Sequence, residues 1–419
     1  MDGKLSAWGA GEVVAQAVEH ERRGYSGLWS SESKHDPFLP LLLAAEHTER
    51  LEVGTAIALA FARSPMQLAY TAHDLQTYSG GRFTLGLGSQ IKPHIERRFS
   101  MPWSRPAARM REYISALKAI WSAWNDGTRL DFRGDFYSHT LMTPFFAPPP
   151  APGGAPKVFL AAVGEAMTRT AGEVADGLLC HGFTTERYLR EVTLPTIESG
   201  LASSGRKRED FTVSHLLLTA TGRTEEEMAT AVSATRRQIA FYGSTPAYRN
   251  VLDLHGWGEL GDELHALSTS RREDRWEAMG TLIDDDVLNA FAVVAEPDRV
   301  ASEIDRRYGS LVDRLSFYTT YEIDQEIWQR RCPETARLSR RKRLTAATGP
   351  KRQLGARCRP VGTMSVKRRS RSRRRSCWTA GPPNRSWEDL ARRKYRCAGC
   401  SQVRARYLTW IWMLSPRRT

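Results

Sequence analysis

The sequence predicts an α/β protein: a closed (β/α)8 barrel with insertions, ending in a basic, irregular C-terminal tail. Three observations predict it. From residue 13 to about residue 320, short apolar runs alternate with stretches of helical periodicity, giving eight strands, most followed by a helix. The start of the chain lacks the strand–G-x-G-x-x-G–helix phosphate loop that a doubly wound dinucleotide fold places there. Gly86-Leu87-Gly88-Ser89 comes nearest and runs into Gln90-Ile91, not a third glycine. The composition also changes ninety residues from the end, so the alternation stops well before the chain does.

A weak first strand falls near Lys4–Trp8, Val13–Arg23 has helical periodicity, and Gly27–Ser31 (G-L-W-S-S) reads as a buried strand. Pro37–Glu49 is a helix with proline near its first turn, where no intrahelical N–H bond is lost. Leu51–Leu59 is the third strand, rich in apolar and β-branched residues. Ser64-Pro65 opens a helix that runs to Tyr78 and stops at Ser79-Gly80-Gly81. Arg82–Ser89 is the fourth strand and Pro106–Trp124 a long amphipathic helix. Residues 125–156 break the rhythm: Asp131–His139 reads as an extended excursion and Pro144–Pro156 as an exposed linker. The alternation resumes with strand Lys157–Ala162, helix Gly164–Ala175, strand Gly177–His181, helix Thr185–Ser203, strand Phe211–Thr221 and helix Thr224–Tyr242. A second insertion, about 243–296, precedes helix Pro297–Tyr308 and the eighth strand, Val312–Thr319.

Residues 330–419 hold 27 of the 61 Lys+Arg but only three of the 47 acids, so residues 1–329 carry about −10 and the tail about +24. The basic pI therefore describes neither part. Five of the six cysteines lie in the tail; Cys180 alone gives the body no disulfide framework, and a cytoplasmic protein is expected. Met1 to Gln16 has no leader pattern, and Phe38–Ala45 is far too short to cross a bilayer, so no membrane partner is expected. In the tail, Lys367–Arg375 is a run suited to nucleic-acid phosphates, while Cys397-Ala-Gly-Cys400 is half of a zinc pattern with no second pair at finger spacing; no metal site is expected. Three readings of the tail stay open: a disordered basic extension, a nucleic-acid module, or read-through from a shifted reading frame. The last is favoured, because helical and strand periods vanish where the eighth barrel helix should begin. The coding DNA past codon 328, read in all three frames, tests it.

A barrel places chemistry at its strand C-termini. After the second strand, Glu32-Ser33-Lys34-His35-Asp36-Pro37 offers either a carboxylate–imidazole acid/base pair or a plain helix entry, with Asp36 as cap and His35 exposed. Thr55-Ala56-Ile57 ends the third strand with small and β-branched residues, suited to a planar ring or simply to the barrel core. Val158–Met167 leads small residues into a helix N-terminus, suited to a phosphate or to close packing. Lys92, Arg97, Arg98, Arg105, Arg109 and Arg111 form either an anion clamp or a solvated face.

These stretches also carry a resemblance. G-L-W-S-S-E-S-K-H-D-P-F, L-E-V-G-T-A-I-A-L-A-F-A-R-S-P, S-G-G-R-F-T-L-G-L-G-S and V-F-L-A-A-V-G with A-G-E-V-A-D-G-L resemble the bacterial-luciferase-like monooxygenase superfamily. More narrowly they resemble its oxidoreductases dependent on the deazaflavin coenzyme F-420, over about residues 10–329. The resemblance implies a TIM-type (β/α)8 barrel with insertions, usually a homodimer, acting on a small molecule and not on nucleic acid. It implies a non-proline cis peptide at Ala56–Ile57 behind the coenzyme ring, with ring contacts from Glu32, Ala56, Ile57, Leu59, Ser89 and Gln90, and His94 close by. The phosphate would lie near Val163, Gly164, Ala166 and Met167.

The superfamily's sugar-phosphate dehydrogenases have an Asp-His pair after strand two and a Glu after strand four; the aligned positions here are Glu32-Ser33 and Ile91, which argues against a sugar-phosphate substrate. His35 is then the nearest imidazole, expected, with Glu32, to exchange a proton with the substrate while hydride passes to or from the deazaflavin. The alternative is an FMN-dependent monooxygenase using reduced flavin and O2; a third reading is nucleic-acid binding through the tail.

Overall fold

The computed structural model describes residues 1–323. The expected eighth helix, the 329/330 boundary and the basic tail lie outside the described residues. Eight parallel strands, β1 (Asp2–Lys4), β2 (Gly27–Ser30), β3 (Glu52–Thr55), β4 (Phe83–Gly88), β5 (Lys157–Ala162), β6 (Gly177–Cys180), β7 (Thr212–Ala220) and β8 (Arg314–Tyr318), pair in chain order. Asp2 then registers with Ser316, joining β1 to β8 and closing the barrel. Two short strands extend its upper rim: Ala58–Leu59 beside the end of β4, and Ala292–Val294 beside the end of β7. The excursion after the fourth helix is a small antiparallel hairpin, Phe132–Arg133 with Ser138–His139.

The first strand lies earlier than its hydropathy suggests. Asp2 is buried, held by Arg314 through two bonds of 2.7 Å, and Arg314 also reaches Glu52. That ion group fills the bottom of the barrel, with the guanidinium 5.5 Å from the Trp29 ring, and Trp29 packs on Phe159 above it. A charge paired from across the barrel hides a strand from any apolar-run search, and Leu5–Trp8 becomes rim.

Outside the strands pack α1 (Ala10–Arg22), α2 (Leu39–Glu46), α3 (Pro65–Tyr78), α4 (Pro106–Asn125) and α5 (Glu165–Val174). Next comes α6, assembled from Glu186–Tyr188, a π-turn at Leu189–Thr193 and Leu194–Ser203. Their entries follow local chemistry. Ser64 Oγ accepts from the Gln67 N–H (3.2 Å) ahead of Pro65, and Asp36 Oδ1 accepts from the Phe38 N–H (2.8 Å) ahead of α2. The buried stripe of α4 (Met110, Tyr113, Ile114, Leu117, Trp121) follows helical spacing onto the main core.

One assignment is corrected. The periodicity of Thr224–Tyr242 suggests a barrel helix, but Glu225–Gly243 (α7) opens the second insertion. The insertion continues through α8 (Arg249–Leu254), α9 (Gly258–Thr269), α10 (Arg275–Thr281) and α11 (Asp285–Phe291); the seventh barrel helix is α12 (Val300–Tyr308). A 3.6-residue period reports that a stripe is buried, not against what. The stripe of α7 (Ile239, Ala240) belongs to a separate core with Val251, Leu252, Leu264, Met279, Val287 and Phe291, seated on Phe183 and Leu218 at the ends of β6 and β7.

Candidate active site at the barrel mouth

On the β2–β4 side the mouth is lined by backbone and one aliphatic side chain. The peptide joining Ala56 to Ile57 is cis, as the resemblance implies. Where regular pairing between β3 and β4 lapses, the Thr55 hydroxyl donates to the Gly86 carbonyl (2.7 Å) and accepts from the Gly86 N–H (2.9 Å), bolting the strands together. No side chain from β4 fills the space above. A Cβ on Gly86 would lie 1.8 Å from the Thr55 oxygen, and one on Gly88 2.1 Å from Ile57 Cδ1. Ile57 therefore lies flat on bare backbone, half-buried, and makes an apolar wall.

Glu32 holds this wall in place. Its N–H donates to the Ile57 carbonyl (3.0 Å), and its carboxylate accepts from the Leu59 N–H (2.8 Å) and the Arg63 guanidinium (2.6 Å). Arg63 continues to Asp36 at 3.4 Å. The Glu32 side chain is only 7% exposed and its Oε2 accepts both bonds, an arrangement suited to positioning. His35 is exposed, its ring stacked on Trp8 at 4.2 Å, and Asp36 is the helix cap. At the end of β4, Ser89 Oγ donates to the Gln90 carbonyl (3.1 Å), and Gln90 turns the chain with a left-handed φ of 59°. His94 is exposed at the start of the turn His94–Arg98.

Across the mouth, Val163 and Gly164 lead into α5. Thr168 is the first to donate within this helix, to the Gly164 carbonyl (3.0 Å), so the N–H groups of Glu165, Ala166 and Met167 have no intrahelical acceptor. The basic run after β4 is largely engaged elsewhere. Arg109 is buried against Phe61 and bonded to the Tyr137 hydroxyl, Arg105 pairs with Asp135, and Arg111 pairs with Glu173.

The β6–β8 side carries residues the sequence did not single out together. His181, just past β6, stacks on Tyr248 (4.7 Å) and meets Tyr242 edge-on (4.7 Å); the Tyr242 hydroxyl lies 2.9 Å from that of Tyr318 on β8. Burial among these rings pushes His181 down to about 4, and burial raises all three phenols. His181 Nδ1 accepts from the Phe183 N–H (3.0 Å), so the neutral ring carries its proton on Nε2, 3.4 Å from the Tyr248 hydroxyl. Strand-end position flags His181, but Tyr242 and Tyr248 come from the insertion, where no motif points to them. The small cavity beside His181 holds about 10 Å³, room for one water. A polar basin of about 300 Å³, lined by Arg187, Arg190, His255 and Arg307, flanks the insertion, and its arginines already pair with Glu191 and Glu186. Among the described residues no group of three or more potential metal ligands occurs, and no helix is long and apolar enough to cross a membrane.

Comparison with known proteins agrees with this architecture. Residues 3–314 match the family model described as luciferase-like monooxygenase. An uncharacterized protein of Mycobacterium tuberculosis is 60% identical over 299 residues, covering 71% of this chain and 87% of its own length. An F420-dependent glucose-6-phosphate dehydrogenase of Beutenbergia cavernae is 30% identical over 280 residues, covering 63% of this chain and 79% of the relative. In fold, the structure of the coenzyme F420 dependent tetrahydromethanopterin reductase from Methanopyrus kandleri matches with a TM-score of 0.61 at 20% identity, covering 75% of this chain and 91% of that one. With a closed eight-stranded barrel, an insertion over its mouth and a family match across nearly the whole described body, this chain belongs to the luciferase-like monooxygenase family.

Proposed function

We propose that this chain is an oxidoreductase that moves a hydride between the deazaflavin coenzyme F-420 and a small organic substrate. The observation that supports it most is the wall made by Ile57 lying over the bare backbone of Gly88, an apolar face at the barrel mouth that suits a tricyclic ring. The relatives that print F420 in their names point the same way. When bound, the coenzyme supplies the two-electron hydride chemistry. The chain's own part is to hold and orient. Ala56, Ile57 and Leu59 back the ring, with Glu32 pinning that segment; Ser89, Gln90 and His94 border it. The free N–H groups of Ala166 and Met167, with Val163 and Gly164, receive the phosphate. His35, exposed and without a hydrogen-bonded protein partner among the described residues, is kept as the imidazole that exchanges protons at the solvent edge. The engaged carboxylate of Glu32 fits an anchor better than an acid. Within this reading the chemistry belongs to residues 1–329, the protein works as a homodimer in the cytoplasm, and nucleic acid is not a partner.

The second reading, reduced FMN with O2, uses the same wall, and the family's own description favours it. Titrating the purified chain with F-420 and with FMN, followed by cofactor fluorescence, separates the two. Saturable micromolar binding of F-420 and none of FMN is expected; the reverse assigns the monooxygenase.

A further inference from the structure

The four polar rings opposite the Ile57 wall have an unequal balance of hydrogen-bond donors and acceptors. The Tyr242–Tyr318 contact of 2.9 Å uses one of the two phenolic protons, and the other has no protein acceptor among the described residues. His181 donates from Nε2 toward Tyr248, and the Tyr248 proton likewise has no acceptor. Two O–H donors are thus left over, and among the described residues no carboxylate bonds to any of the four rings. The Lys4 ammonium stands over the face of the Tyr318 ring, 5.9 Å from its centre, where it polarises the phenol without reaching for its oxygen. Tyr318 sits on the inward face of β8: it shares that face with Ser316 and Arg314, alternating with Leu315 and Phe317, and its ring lies 3.1 Å from where a Gly182 Cβ would be. It is therefore aimed across the mouth, facing the wall proposed for the ring.

We infer that Tyr318, backed by Tyr242, forms a donor-only subsite that takes the acceptor oxygen of the substrate, and that the substrate class is neutral, planar carbonyl compounds such as enones. Surplus donors with no local base select an acceptor oxygen, because an unmatched donor facing an apolar group is penalised. The flanking, half-buried rings of Tyr248 and His181 suit a flat apolar body. Neutral phenols, with the Lys4 ammonium turned to a ring face, suit a carbonyl better than a carboxylate. This assignment deepens the hydride-transfer reading and rests on it for its meaning, but its test does not need the coenzyme.

The probe is 2-cyclohexen-1-one labelled with 13C at the carbonyl, added to the full chain without coenzyme. Binding is read by NMR titration and hydrogen bonding by the infrared carbonyl stretch. Saturable binding is expected, with the stretch moved to lower wavenumber, and with cyclohexene and cyclohexanecarboxylate each bound at least about fivefold more weakly. Tyr318→Phe should remove most of the shift and weaken cyclohexenone about three- to tenfold; Tyr242→Phe should diminish both. No saturable binding, an unshifted stretch, equal affinity for cyclohexene, tighter carboxylate binding, or a shift unchanged in both variants overturns the inference. If Tyr318→Phe does not fold, the wild-type shift and Tyr242→Phe still decide. Cofactor titration of the same protein is read separately, so a chain that shifts the carbonyl but binds no F-420 refutes only the hydride-transfer reading.

Discussion

At Gly86 an added methyl meets backbone, the Thr55 carbonyl, whereas at Gly88 it meets the far end of a flexible side chain, Ile57 Cδ1. The two glycines should therefore respond differently to alanine. Gly86→Ala is expected to cost about 3 kcal/mol or more, since β3 must move, while Gly88→Ala costs about 1 kcal/mol by turning Ile57. If Ile57 backs the ring as proposed, Gly88→Ala should still lower F-420 affinity severalfold; thermal melts and the fluorescence titration together read both effects, and an F-420 affinity unchanged in Gly88→Ala would refute the wall. His215 on β7 makes a second residue-level prediction. It is buried with both ring nitrogens unpartnered, and burial pushes it down to about 3. Folded His215 stays neutral while the unfolded ring protonates below about 6.5, so its stability contribution is present above that pH and is lost as pH falls toward 3, by roughly 1.4 kcal/mol per unit. His181, at about 4, adds a parallel slope. His215→Leu should flatten the acid limb and leave neutral-pH stability unchanged or higher; urea midpoints at pH 5 and pH 7 measure this, and an unaltered slope rejects it. At this scale the rim was partly readable. Family resemblance pointed to Ala56 and Ile57, but His215 looked like one more polar residue in an apolar run.

Between residues and the whole lies the strap from β2 to α3. Glu32 is almost wholly buried, and Arg63 both neutralises it and covers the Phe38 ring at 5.4 Å. Arg63→Met leaves a buried carboxylate without its cation and should destabilise by about 2–4 kcal/mol. Glu32→Gln keeps an acceptor for the Leu59 N–H and should cost about 1–2 kcal/mol. Denaturant midpoints that rank the two the other way would show that the pair is not the anchor described. The same segment shows why element boundaries were only roughly legible. Leu51–Leu59 has the composition of one strand, yet it is broken into Glu52–Thr55 and Ala58–Leu59 around residues 56 and 57, a backbone feature that side-chain pattern does not encode. For α7 the periodicity was real and the address wrong, because its partner surface comes from residues up to Phe291.

For the whole molecule, closure of the barrel is held from beneath by Arg314, which ties β8 to Asp2 on β1 and Glu52 on β3. Arg314→Met leaves Asp2 buried and unpaired and should cost about 3–5 kcal/mol, whereas Asp2→Asn with Arg314→Met should recover part of that loss. A double-mutant cycle by urea unfolding measures the coupling, and strict additivity would mean the contact does not matter. Most strands were legible because they bury apolar runs between two layers, as Lys157–Ala162 and Thr212–Ala220 do, whereas Asp2–Lys4 carries no such run. Closure followed from the strand count, but the contact that secures it was not legible, since Asp2 and Arg314 lie 312 positions apart and are both charged.

The separate hydrophobic nucleus over β6 and β7 has an evolutionary corollary. Because α7 to α11 are stabilised chiefly among themselves, they behave as a cassette: mutations there can rewrite chemical preference without loosening the barrel beneath. Grafting residues 225–291 between kindred proteins should transplant selectivity while leaving coenzyme choice behind.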